Sequence, residues 1–154
     1  MTRACKVFAV FLLAAILAAP PVHACTKVDF EAALQQMDAF RVVVRARVME
    51  AKVLPLADLG IPCDKPEESG LCDVLELDLS ILEEFKGTGE RHGIVYAPVI
   101  PLCREPVLVG WEYVFFLAEF DDLIASTEET FLVRDEEGND KLAKLRNWKA
   151  AQPH

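Results

Sequence analysis

The chain has 154 residues, 53% of them hydrophobic, and a formal net charge of −9. Such a length allows one domain with a substantial core, and the acidic balance excludes nucleic acid and anionic membrane surfaces as electrostatic partners.

The first 24 residues have the form of a signal peptide: basic Arg3 and Lys6, the apolar run "VFAVFLLAAILAA", the breakers Pro20 and Pro21, and a small-residue site ending at Ala24. Its removal takes away two cations and no acid, leaving a secreted chain of net charge about −11 that starts at Cys25 and forms a single domain over residues 25–154. No later segment approaches the roughly 20 apolar residues a membrane span needs. Cys5 leaves with the leader, and the remaining Cys25, Cys63, Cys72 and Cys103 are an even set in a chain addressed to an oxidising compartment. Cys63 and Cys72 flank one short polar stretch and would close a local loop, which leaves Cys25 with Cys103.

Asp29 can cap a short helix over residues 29–38, with Phe30, Ala33, Leu34 and Met37 at helical spacing. The period then changes. Val42, Val44, Ala46 and Val48 form an apolar row, and Val43, Arg45, Arg47 and Met49 a mixed one, which predicts a strand over 40–53. "LPLADLGIPCDKPEESGLC" is rich in proline and glycine and reads as a long hairpin connection. In "DVLELDLSILEEFKG", Leu75, Leu77, Leu79 and Ile81 alternate with polar residues, predicting a second strand. "HGIVYAP" predicts a third, and "WEYVFFLAEF" a fourth that is buried on both faces. "TFLVRD" is the candidate fifth. "DEEGND" reads as a turn into a C-terminal amphipathic helix capped by Asn139 or Asp140, with Leu142, Leu145 and Trp148 on one face. The expected architecture is mainly β: a five-stranded antiparallel barrel, closed or nearly closed because closure removes exposed edges, with a short N-terminal helix and a C-terminal amphipathic helix.

Enzymatic chemistry finds little support, and the chain is read as a non-enzyme. His92 sits in the "GERHG" turn, no nucleophile elbow or Ser, His, Asp set can be assembled, and the acidic pairs Glu83–Glu84, Asp121–Asp122 and Glu128–Glu129 suit solvated faces. No metal site of its own is expected, since the cysteines lack metal-type spacing and "DEEGND" fails the EF-hand pattern. What remains is the amino terminus. An α-amine with a reference pKa of about 7.7–8.0 is partly unprotonated at neutral pH, and with the Cys25 carbonyl oxygen it can form a five-membered chelate. The open coordination position of a catalytic zinc is where such a chelate would land.

At these residues the chain resembles the tissue inhibitors of metalloproteinases and the wider netrin-like module. "CTKVDFEAALQQMDAFRVVVRARVMEAKV" is similar to the family's opening, "LELDLSILEEFKGTG" to its second strand, "GIVYAPVIPLC" to its third strand and the loop carrying the partner cysteine, and "VGWEYVFFLAE" to its fourth. The resemblance implies an OB-like barrel, a Cys25–Cys103 bridge, and a metalloendopeptidase partner whose zinc is chelated by Cys25. It implies that Thr26 enters the specificity pocket and that Lys27 and Val28, with Leu102, Cys103 and Arg104, form the adjoining wedge. It implies no cofactor beyond the target's zinc, and a monomer. Two departures stand out: Lys27 replaces the family's second cysteine, and "VDF" replaces its proline-rich segment. Two other uses of Cys25 stay open. It can serve only as a staple in a non-inhibitory extracellular interaction module, or be acylated as a lipid anchor, a signal that "VHAC" fits poorly because of His23.

Overall fold

The computed structural model describes residues 29–63, 72–87, 92–99, 106–120 and 123–152. The leader, Cys25 and Cys103 lie outside the described residues. Helix α1 spans Phe30–Gln35 and is followed by a 3₁₀ turn at Met37–Ala39. The strands are β1 (Val42–Pro55), β2 (Asp73–Lys86), β3 (His92–Pro98), β4 (Glu112–Phe120), β5 (Leu123–Ser126) and β6 (Phe131–Leu132), and helix α2 (Glu136–Ala150) ends the fold.

Strands β1 to β5 close into an OB-like barrel in the order β1-β2-β3-β5-β4, with β4 returning to β1. The closing contact between β3 and β5 is parallel, through Tyr96 and Ala125, whereas the other pairs are antiparallel, so the barrel is mixed. Alternation along a strand reports which residues face inward but not the direction of the neighbouring strand, and closure needs this one reversal.

Two apolar clusters account for the strand patterns. Val44, Ala46, Val48, Leu77, Leu79, Val95, Tyr113, Phe115 and Leu117 fill the barrel. Phe30, Met37, Phe40, Val43, Phe85, Val114, Phe116, Leu142 and Leu145 form a second core between the outer wall and the helices. β4 is therefore buried on both faces, with Tyr113, Phe115 and Leu117 inside and Val114 and Phe116 beneath the helices. The imperfect alternation of β1 has the same origin: its mixed row begins under the helices at Val43 and emerges into solvent at Arg47 and Met49. Register shifts after Val43, Arg45 and Val48 mark irregularities that let this long strand curve around the barrel.

Three expectations need correction. The fifth barrel strand is Leu123–Ser126 rather than "TFLVRD", which contributes only the two-residue β6. β5 is short and ends in buried Ser126, whose hydroxyl is satisfied by Thr130 at 2.9 Å, so it carries almost no apolar alternation for a sequence reading to find. The C-terminal helix starts earlier than Asn139. Asp135 is the cap, accepting from the Gly138 N–H at 2.7 Å, so most of "DEEGND" is the first helical turn. Finally, β1 extends to Pro55, paired with Asp73, so the hairpin connection begins later than expected. It opens with a 3₁₀ turn at Leu56–Leu59, and the Cys63–Cys72 disulfide, with Cα atoms 5.6 Å apart, ties its middle to the residue just before β2.

Candidate functional site

Cys25, Thr26, Lys27, Val28, Leu102, Cys103 and Arg104 lie outside the described residues, as does a Cys25–Cys103 bridge. What the structure does describe is how the chain is held on either side of them. Immediately after Val28, Asp29 caps α1 by accepting from the Glu31 N–H at 3.0 Å. Phe30 then drives edge-on into Phe116 and Phe131, with ring centroids 6.4 and 5.5 Å away. Lys144 of α2 reaches across to Glu31 at 2.7 Å. The chain is thus fastened to the outer core at Phe30, two residues after the expected inhibitory segment ends at Val28.

On the other side, β3 ends at Pro98 opposite Val74, one residue from the Pro55–Asp73 pair that begins the disulfide-stapled connection. After Arg104 and Glu105, the Pro106 carbonyl accepts from the Tyr113 hydroxyl at 3.3 Å, while the same hydroxyl accepts from the Leu108 N–H at 3.0 Å. Gly110, at φ +86°, turns the chain and donates to the Val48 carbonyl at 2.8 Å. Leu108 and Val109, at the tip of this turn, are exposed.

A cluster of arginines stands on the outer wall nearby. Cross-strand pairing sets Arg45 opposite Val114 and Arg47 opposite Glu112. Glu112 accepts from Arg45 at 2.5 and 3.2 Å and from Arg47 at 2.6 Å. The hydrogen bonds from Arg47 and then Arg45 hold the Glu112 carboxyl below its ordinary range, outweighing the opposing effect of desolvation. A carboxyl lowered by folding contributes stability above its ordinary value of 4.5 and loses that contribution as pH falls through the lowered one. Glu112→Gln is therefore expected to lessen the drop in thermal midpoint below that range. Some slope remains, because Arg146 likewise lowers Glu83. Melting curves from about pH 7 to about pH 3 test this, and parallel curves for the two proteins would exclude a contribution from Glu112.

The two arginines were legible as part of a mixed strand row, but their shared carboxylate was not, because Glu112 lies 65 residues away from Arg47. Among the described residues no group of three or more His, Cys, Asp or Glu side chains is arranged to hold a metal ion, and no helix is long and apolar enough to cross a membrane. No protein-family model matches the chain. No curated protein matches it either.

Proposed function

We propose that the chain is a secreted inhibitor of zinc metalloendopeptidases, acting through the α-amine and carbonyl oxygen of Cys25 as a chelate for the target's catalytic zinc. The observation that carries this reading is the anchoring of both flanks of the expected wedge. Phe30 is locked into the outer core five residues after Cys25, and Pro106 and Leu108 are held by Tyr113 shortly after Arg104. Segments tethered at such short range lose little freedom when they enter a protease cleft, which is what a short inhibitory wedge needs. The OB-like barrel also fits the resemblance that first suggested this activity. The exposed Leu108–Val109 turn, directly downstream of the wedge, suits a protein partner better than a small substrate.

The chemistry follows from the open position of a catalytic zinc. An unprotonated amine nitrogen and the adjacent carbonyl oxygen displace the water that would attack a peptide bond, and a bridge to Cys103 would keep the chelating atoms in place. Thr26 then enters the first primed pocket, with Lys27, Val28, Leu102, Cys103 and Arg104 packed along the cleft.

The direct test is inhibition by protein whose first residue is shown to be Cys25 by intact mass and terminal sequencing. Nanomolar-to-micromolar inhibition of a matrix-type metalloprotease is expected. No inhibition across a panel of zinc endopeptidases would leave the barrel as a non-inhibitory extracellular interaction module. Thr26→Gly is expected to weaken inhibition about tenfold, some 1.4 kcal/mol, with the thermal midpoint nearly unchanged because Thr26 precedes the anchored core. Equal inhibition by this variant would show that Thr26 does not occupy the pocket.

A further inference from the structure

A second site, independent of the inhibitor reading, lies where the start of β4 meets β6. The ladder runs through Tyr113–Leu132 and Val114–Phe131, and the Val133 N–H donates to the Glu112 carbonyl at 2.9 Å. One step further along, Arg134 crosses to Trp111, and its guanidinium carbon lies 4.2 Å from the indole centroid. Gly110, Trp111, Glu112, Leu132, Val133 and Arg134 line a surface pocket of about 240 Å³ there.

The charges at this pocket are unbalanced in an informative way. Glu112 is its one carboxylate, and that group is already engaged by Arg45 and Arg47. Arg134 has no carboxylate within ion-pair distance among the described residues, although its side chain is held over the indole. Arg45 and Arg47 thus share the Glu112 carboxylate, while Arg134 is left stacked on Trp111 without an ion-pair partner among the described residues, on a chain whose overall charge is −9. An arginine stacked on an aromatic face is pre-oriented, and its planar fork of N–H donors matches a carboxylate in two parallel hydrogen bonds. On the side of Gly110, a Cβ built at this residue would meet nothing within 4 Å, so the pocket is open there.

We propose that this pocket binds a carboxylate, with Arg134, laid on Trp111, as the residue that receives it, while the pairing of Glu112 with Arg45 and Arg47 offsets the one carboxylate charge in the lining. The apolar parts of the wall, Trp111, Leu132 and Val133, favour an organic carboxylate with a short apolar stem over a fully hydrated inorganic anion. That chemistry is supplied either by a free small carboxylate or by an acidic side chain of a peptide.

Intrinsic fluorescence reads the site directly, since the chain holds two tryptophans and Trp111 is the one beneath the guanidinium. The full secreted chain is titrated at low ionic strength with butyrate, with acetylated tetraglutamate amide, and with neutral butyramide. A saturable emission change with at least one of the two carboxylates and none with butyramide is expected, and the carboxylate that saturates identifies the source. Arg134→Gln should raise the midpoint at least tenfold while keeping the thermal midpoint, because Arg134 is exposed and forms no ion pair within the described residues. In Trp111→Phe the emission change should vanish. Failure of both carboxylates to saturate, an equal response to butyramide, or an unshifted midpoint in Arg134→Gln would each overturn the proposal.

Discussion

One alanine added ahead of Cys25 is expected to raise the inhibition constant against a susceptible metalloendopeptidase at least about 100-fold, a loss of some 2.7 kcal/mol. The extension turns the Cys25 nitrogen from an amine into an amide, whose lone pair is delocalised into the carbonyl and no longer available to a metal. The new amine sits one residue further out, where no disulfide can hold it. Nothing in the barrel changes, so the thermal midpoint should stay where it is. A metal ligand of this kind must be unprotonated, so inhibition by the unextended protein should also weaken as pH falls below about 7.7, the lower end of the reference range for an α-amine. Comparable inhibition by the extended and authentic proteins would remove zinc chelation from the mechanism. Acylation of Cys25 would be detected in the same preparation as added mass.

Gly138→Ala is expected to destabilise the fold by about 3 kcal/mol, toward the upper end of the range for overpacking a core. The usual expectation has the opposite sign, since alanine is favoured over glycine inside a helix by about 1 kcal/mol. Here α2 starts so close to β6 that a Cβ on Gly138 would lie 2.1 Å from the Leu132 carbonyl oxygen and 3.1 Å from the Asp135 cap. The obstacle is backbone of a strand paired with β4, which cannot swing aside as a flexible side chain would. Relief requires α2 to lift, and that would pull Leu142 and Leu145 out of the outer core. Chemical denaturation of the variant measures the effect, and a stability equal to or above wild type would show that the helix start can relax at little cost.

Much of this barrel was legible because its main strands obey a simple rule. In β2 one face is buried and the other wet, so Leu77 and Leu79 alternate with polar neighbours. In β4 both faces are covered, and a continuous apolar run results. The same reasoning exposes Leu142, Leu145 and Trp148 as one helical face, and the spacing of Cys63 and Cys72 as a local bridge. The site fared differently. Cys25, Thr26 and the wedge residues are an inference from linear motif, whereas the pairing of Arg45 and Arg47 with Glu112 and the stacking of Arg134 on Trp111 join segments that are distant in sequence.

The sequence by itself determined the class of fold, the two long strands of the hairpin, the doubly buried β4 and the apolar faces of both helices, because burial leaves a local period that each segment carries alone. Only the tertiary structure decided that Leu123–Ser126 closes the barrel, that it runs parallel to β3, that Asp135 starts α2 over a glycine pressed against β6, and that Arg134 rests on Trp111. These features rest on hydrogen bonds and contacts between separate elements. A four-residue strand or a single stacked arginine leaves too few positions along the chain for a period to form, and its partners define it instead.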